Sequence, residues 1–200
     1  TDLKELSPYK EQLETIRKKL FNCREERIHP HKDDKILTSW NGLMITSLAL
    51  GGRLLDNEEY IKCSEKALNF ILNNLIDEKG RLYTRYRDKH RAHKGIIDDY
   101  SFLIWAIIEC YESTFKIEYL ESAIKLSNEM IELFWDEENG GFFLYGSDDE
   151  ELIVRPKEIY DGAIPSGNGV ASLALLKLYY ITGKDRYIDI VDKNFKVFGG

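Results

Sequence analysis

The feature that most constrains the fold of this chain is a pair of helical patterns that occurs three times in 200 residues. Apolar residues recur at helical spacing around most of the circumference in segments 38–55, 98–113 and 166–181. Each segment is followed, after a short break, by a more charged and one-sided pattern in 57–76, 116–135 and 184–198. Tyr60, Tyr119 and Tyr187 each open the second pattern, and counting back 19 residues from each lands at Asn41, Tyr100 and Asn168. A register kept three times predicts three stacked αα-hairpins.

The hairpin pattern predicts an all-α fold with small β-hairpins in its loops. We expect the three apolar helices to lie inside and the charged helices to form an outer layer. A further helical pattern, 7–27, precedes the first pair and would be the outer helix of another hairpin whose inner partner is missing. The chain has no initial methionine and stops directly after a helical pattern, so we expect it to be part of a larger protein.

Two long connections lead from an outer helix to the next inner helix, and such lengths are uncommon for simple connectors. Both contain a turn followed by alternating or β-rich residues, in 77–88 and 137–156. Asn139-Gly140 suits a tight turn, and Leu152 to Arg155 would return as a second strand. The pattern predicts small β-hairpins here, and irregular surface loops are the alternative.

Composition and charge exclude several classes of function. The formal charge of −7, with acids and bases interspersed and no basic cluster, argues against nucleic acid as a partner. No apolar run reaches the roughly 18–20 residues that a membrane span needs, and no apolar secretion signal opens the chain, so we predict a cytoplasmic protein. No nucleotide-binding or nucleophile-elbow motif is present, and we predict no cofactor. Cys23, Cys63 and Cys110 are expected to be reduced thiols packed as small apolar groups.

Polar motifs precede all three inner helices, in 29–42, 93–102 and 155–169. If the inner helices run in the same direction, these motifs lie at one end of the assembly. Loop residues of this kind on a packed scaffold are typical of a small-molecule pocket.

Three carboxylates are the catalytic candidates: Asp98, Asp99 and Asp161. One of the consecutive pair is most simply a helix cap, which leaves the other without a structural role. Asp161 follows Glu158 by three residues and adds an acid at the same end. Paired carboxylates are what glycoside chemistry uses, one to protonate the leaving oxygen and one to activate water or attack.

The remaining candidates would bind substrate, and several carry an alternative. Trp40 and Tyr100 would stack on a sugar ring or pack in the core. Arg155 and Lys157 alternate, so both would point one way, or they form a solvated edge. Pro30 makes the run of His and Asp in 29–34 extended, His90 and His93 fall in an expected loop, and no third ligand set is evident, so we predict no metal site. The predicted binding residues are His31, Asp34, Trp40, Asn41, Tyr100, Arg155, Lys157, Glu158, Ser166 and Asn168, with Ser166 also a helix cap.

The motifs "HKDDKILTSWNGLMI", "IIDDYSFLI", "NGGFF" and "RPKEIYDGAIPSGNGVA", in this order, resemble the C-terminal region of the YyaL-type family, related to spermatogenesis-associated protein 20. The resemblance implies a thioredoxin-like domain followed by an (α/α)6 toroid similar to N-acylglucosamine 2-epimerases and six-hairpin glycosidases. Residues 1–200 would be part of that toroid, about three hairpins and a leading helix, without an internal domain boundary. The epimerase relatives use histidines on barrel helices, and the inner helices here hold none, which argues against epimerase chemistry.

We therefore expect a carbohydrate-active or carbohydrate-binding toroid with its pocket at the N-terminal ends of the inner helices. Its enzyme class, if it is an enzyme, would be glycoside hydrolase-like or sugar isomerase-like. The alternative is a non-catalytic scaffold or protein-interaction domain that serves the thioredoxin-like module. Open hairpin edges expose apolar surface, so the fragment is also expected to self-associate.

Overall fold

A computed structural model describes residues 7–149 and 154–199 of the chain. The chain divides into two compact units, Thr1–Asp34 and Lys35–Gly200. The described part of the first unit carries helix α1 (Ser7–Glu25). All other helices and strands belong to the second unit, and the single domain over residues 1–200 stays a prediction.

Six helices of the second unit form three αα-hairpins, as the repeat predicts. The inner helices are α2 (Thr38–Leu54), α4 (Ile97–Thr114) and α6 (Gly167–Thr182), and the outer helices are α3 (Glu58–Asn74), α5 (Ile117–Phe134) and α7 (Asp185–Phe198). Helix α4 packs against both α2 and α6, and each outer helix packs against the inner helix that precedes it. The three predicted hairpins and the leading helix are confirmed.

The core lies between the inner and outer helices, because the outer helices are apolar on one side only. In α5 the buried residues Tyr119, Ala123, Leu126 and Met130 follow one another at intervals of four, three and four. Tyr187 occupies the same register position in α7 and is also buried. The inner helices approach closely where α2 has a glycine: a Cβ atom on Gly42 would lie 2.8 Å from the carbonyl carbon of Phe102 in α4.

The first long connection forms a β-hairpin, as predicted, but the second strand lies beyond the predicted range 77–88 and contains His90 and His93, which were expected in a loop. Strand β1 (Ile36–Leu37) pairs with β2 (Tyr83–Arg87), and β2 pairs with β3 (His90–Lys94), both antiparallel. Leu37 lies opposite Arg85, so the sheet is attached to the start of α2. The β2–β3 turn consists of Asp88 and Lys89, both left-handed, with φ of 51° and 61°.

The second long connection contains the predicted tight turn but no second hairpin in its described part. The Asp136 N–H donates to the Gly141 carbonyl (3.0 Å), and the Gly140 N–H donates to the Asp136 carbonyl (2.9 Å). An isolated bridge joins Trp135 to Phe142. Val154 and Arg155 are not in a strand, and Leu152 and Ile153, in the predicted returning strand, lie outside the described residues.

Two further observations concern membrane spans and thiols. Within residues 7–149 and 154–199, helices that combine the length and the apolarity of a membrane span are absent. The prediction that all three cysteines pack as apolar groups is wrong for two of them. Cys110 is buried, but Cys23 and Cys63 are exposed, and Cys23 lies in a helix whose described side chains are almost all exposed.

Candidate functional site

Asp99 joins the N-terminal ends of two inner helices to the sheet. Its carboxylate accepts hydrogen bonds from the N–H of Ser39 (3.0 Å) at the start of α2, the N–H of Ile96 (3.1 Å) before α4, and the hydroxyl of Thr84 (2.8 Å) on β2. It is 1% exposed, and burial raises its pKa against the effect of these donors. Asp99 therefore caps helices and braces the site, and its prediction as a catalytic residue needs correction because a substrate cannot reach it.

Asp98, unlike Asp99, is only half-buried, and it lies where α4 meets α6. The N–H of Gly167, the first residue of α6, lies close to its carboxylate and acts to lower its pKa. A Cβ atom on Gly167 would lie 2.3 Å from Asp98 Oδ1, so only glycine permits this approach. Burial raises the pKa of Asp98 to about 6, and the charges of Asp99 and Glu158 add to that rise. A carboxyl of this pKa can both hold and release a proton near neutral pH.

A small pocket of about 170 Å³ opens at Asp98. Its other lining residues come from the loop before α6: Glu158, Tyr160 and residues 162–167. The Glu158 side chain is exposed, and Tyr160 is 84% exposed at the rim. This loop is the continuous "YDGAIPSGNG" segment, so one motif supplies most of the pocket wall.

Asp161 and Ser166 shape that loop. The Asp161 carboxylate accepts from the N–H of Ser166 (2.8 Å), and the Ser166 hydroxyl accepts from the N–H of Gly169 (3.2 Å). Ser166 is thus the N-cap of α6, as predicted. Asp161 is exposed next to the pocket and is not among its lining residues.

The two aromatic candidates at the N-terminal ends of the inner helices differ in exposure. Trp40, in the first turn of α2, is 63% exposed and offers a ring face. Tyr100 is fully buried, and its hydroxyl donates to Glu129 (2.8 Å) and accepts from the N–H of Leu82 (3.1 Å). The prediction of Tyr100 as a stacking surface is wrong, because the core-packing alternative uses both the ring and the hydroxyl.

The two asparagine candidates are held by backbone groups. Asn168 is buried and uses its amide to accept from the Phe142 N–H (2.8 Å) and to donate to the carbonyls of Phe142 and Glu158 (both 2.9 Å). It therefore ties the second connection to α6, and both N–H donors of its buried amide are used. The half-buried Asn41 donates to the Leu37 carbonyl (2.8 Å).

Arg155 and Lys157 point the same way, as their alternation predicts. Both cations lie over the Phe143 ring, at 4.1 and 4.7 Å from its centre. Arg155 donates to the Tyr145 carbonyl (2.7 Å), and Lys157 forms an ion pair with Asp136 (2.7 Å). The Lys157 ammonium and neighbouring N–H donors hold the pKa of Asp136 well below its usual range. Both side chains brace the second connection, and the solvated-edge alternative is wrong.

His31 and Asp34 belong to the first unit, where both are exposed. Within the described ranges, no group of three or more His, Cys, Asp or Glu side chains gathers in a way that could hold a metal ion. The role of these two residues in substrate binding stays a prediction.

Sequence reasoning missed Thr84, whereas a glycine at 167 is expected to permit close helix packing or a tight entry turn, and the structure shows such a close approach to Asp98 and Ile97. Thr84 is one residue of an alternating strand, and nothing in the sequence marks its bond to Asp99. Gly167 carries a signal, because glycine is unfavourable in a helix unless something approaches its backbone closely.

No family model matches the chain. It is 33% identical over 181 residues to human spermatogenesis-associated protein 20, covering 86% of this chain and 23% of that protein. It is also 33% identical over 185 residues to an uncharacterised protein of Caenorhabditis elegans, covering 88% of this chain and 25% of that protein. The chain thus spans about a quarter of the length of the curated relatives it matches.

Solved structures with similar folds are α/α toroids. Cellobiose 2-epimerase from Bacillus thermoamylovorans matches with a TM-score of 0.70 at 18% identity, over 85% of this chain and 46% of that one. A GH76 α-mannanase from Bacteroides thetaiotaomicron matches at 0.68 and 18%, over 84% and 46%. An inactive α-1,6-mannanase variant from Salegentibacter, with two consecutive aspartates changed to asparagine and α-1,6-mannotriose bound, matches at 0.67 and 16%, over 82% and 47%. These likenesses establish the fold, of which the chain forms about half.

Proposed function

Over most of its length this chain is a homologue of the spermatogenesis-associated protein 20 proteins, and on that premise we propose that it forms the carbohydrate-processing part of an α/α toroid domain. The proposed site is the Asp98 pocket at the N-terminal ends of the inner helices. The thioredoxin-like partner domain and the cytoplasmic location stay predictions.

The observation that carries this proposal is that two neighbouring carboxyls differ in burial and in hydrogen bonding. Asp99 is buried and saturated with donors, whereas Asp98 faces a pocket with its pKa raised to about 6. Environments that separate two carboxyls in this way are typical of acid and base assignments in enzymes. Asp98 is thus suited to act as a general acid, and Asp99 as the residue that positions it.

A second carboxylate is needed for glycoside chemistry, and the loop before α6 offers Glu158 and Asp161. Asp98 would donate its proton to the leaving glycosidic oxygen, while one of these carboxylates takes a proton from the attacking water. Trp40 would provide a stacking face for a sugar ring. The comparison with the mannanase supports this assignment, since replacing two consecutive aspartates accompanies its inactivity and this chain also carries a consecutive pair in a similar fold.

The test is a library of mono- and oligosaccharides, assayed on the full-length protein by thermal shift and by release of reducing sugar. We expect a subset of sugars to stabilise the protein and Asp98→Asn to remove product formation. Asp192→Asn is the matched control, because it removes the same charge from an exposed position on α7.

Two outcomes contradict the proposal in different ways. Full activity in Asp98→Asn would remove Asp98 from the chemistry. A protein that responds to no sugar in the library would instead favour the scaffold or protein-interaction function.

A further inference from the structure

A second cavity, of about 390 Å³, lies between the end of α3 and the β2–β3 hairpin. Its volume is within the range typical of small-molecule sites. It shares no lining residue with the Asp98 pocket. We call it the basic pocket, and its lining residues are Asn73, Asn74, Tyr86, Lys89, His90 and Arg91.

The hairpin that forms one wall of the basic pocket has an excess of basic residues, although Arg87, Arg91 and Lys94 are ion-paired with Asp88, Glu78 and Asp148. Residues 85–94 hold five arginines and lysines and only one acid, in a chain whose net charge is −7. The prediction that the chain has no basic cluster is therefore wrong, because the net charge of the whole chain conceals a local excess of positive charge. The basic pocket itself has no carboxylate among its lining residues.

Several polar groups in the basic pocket have no partner within the described part of the chain. The side chains of Lys89, His90 and Asn73 make no hydrogen bond or ion pair there. The guanidinium of Arg91 is held in place by two hydrogen bonds, to the Ile76 carbonyl and to the Glu78 carboxylate, both at 3.2 Å. The basic pocket thus combines a fixed guanidinium with unpaired donors that can reorient toward a ligand.

The C-terminal end of α3 carries the negative end of the helix dipole, which disfavours a bound anion. Most backbone carbonyls at this end, however, already accept a hydrogen bond. The Phe70 carbonyl accepts from Asn74 (2.8 Å), and the Ile71 carbonyl accepts from the Leu75 N–H (2.9 Å). The Ile76 carbonyl is taken by Arg91. Lys89 therefore supplies the unpaired positive charge of the pocket, and Arg91 adds a guanidinium that is ion-paired with Glu78.

The backbone of Lys89 adopts a conformation that is unfavourable for a residue with a side chain. Two-residue turns with both central residues left-handed favour Asn or Gly, whereas here Lys89 adopts φ of 61°. Strain of this kind is common at binding sites, where the side chain contributes to function.

We propose that the basic pocket binds the phosphate group of a small phosphorylated molecule. A phosphate monoester carries up to two charges and three acceptor oxygens, enough to engage the lysine, the arginine and the histidine together. A carboxylate offers one charge and two oxygens and leaves part of this donor set unused.

The experiment titrates the full chain with inorganic phosphate and with a hexose monophosphate at constant ionic strength, followed by amide NMR shifts and calorimetry. We expect saturable shifts confined to residues around 73–74 and 86–91. Lys89→Gln is expected to weaken phosphate binding about tenfold, as for the loss of one charge-assisted hydrogen bond. Lys66→Gln is the matched control, since Lys66 is an exposed lysine on α3 outside the pocket.

His90→Gln provides a second variant that leaves the left-handed turn residues unchanged, and it too should weaken binding. The proposal is overturned if the shifts spread over the basic surface without saturating, or if Lys66→Gln weakens binding as much as Lys89→Gln. Acetate that binds as tightly as phosphate would also overturn it. Sugar binding at the Asp98 pocket is measured with neutral sugars, so the two proposals fail independently.

Discussion

Gly167→Ala tests the contact on which the Asp98 pocket depends. The added Cβ would lie 2.3 Å from Asp98 Oδ1 and 2.8 Å from Ile97 Cγ2, closer than such contacts occur in folded proteins. The Asp98 carboxylate must move off the Gly167 N–H, or α6 must shift away from α4. Overpacking of this kind costs about 1–3 kcal/mol, which for a chain of this size lowers the melting temperature by about 5 °C.

The same change should raise the pKa of Asp98 further, because the Gly167 N–H donor lowers that pKa. Thermal unfolding and the carboxyl ¹³C titration of Asp98 measure the two effects. Gly51→Ala is the control: its Cβ would meet only Tyr60 Cδ2 at 3.9 Å, so it should stabilise α2 by about 0.5–1 kcal/mol. A Gly167→Ala protein with unchanged stability and an unchanged Asp98 titration would refute the contact.

Four further predictions concern the same end of the molecule and its open edge. The folded-state pKa of Asp98 is raised from 3.8 to about 6, so its stabilising contribution is complete below pH 4 and disappears as the pH rises through 6. Asp98→Asn should therefore stabilise the protein at pH 7 by about 2 kcal/mol in urea unfolding, and a smaller gain at pH 7 than at pH 4 would contradict this sign. Asp99→Ala leaves the Ser39 and Ile96 N–H groups and the Thr84 hydroxyl without an acceptor and should cost about 3 kcal/mol; a loss under about 1 kcal/mol would show that these bonds are weak. Trp40→Ala should change stability by less than about 0.5 kcal/mol and remove the thermal response to sugars, whereas a retained response would exclude stacking at Trp40. The exposed Tyr180 and Phe195 predict self-association in sedimentation experiments, and a monomer at all concentrations would contradict it.

The candidate site shows which predictions a linear pattern can support. Ser166 as an N-cap follows from a local rule, helix capping, and the structure confirms it. Arg155 and Lys157 do lie together over the Phe143 ring, but neither residue is in a strand, so strand alternation is not the cause. Tyr100 and Asn168 lie at equivalent positions of the repeat and were predicted to contact substrate, yet both are buried and hydrogen-bonded. A repeat register predicts where a residue lies along its helix but not whether another loop covers it.

The sequence by itself determined the hairpin architecture, because the spacing of apolar residues decides which helix faces must be buried, and the same spacing recurs three times. It also determined that acids gather at the entries of the inner helices. Only the tertiary structure decided which acid is available for chemistry. Asp98 and Asp99 are neighbours in the chain, but the donors on Asp99 come from Ser39 and Thr84, distant in sequence, and the backbone facing Asp98 comes from Gly167. Burial and hydrogen bonding are set by such distant partners, so two identical side chains side by side acquire different environments.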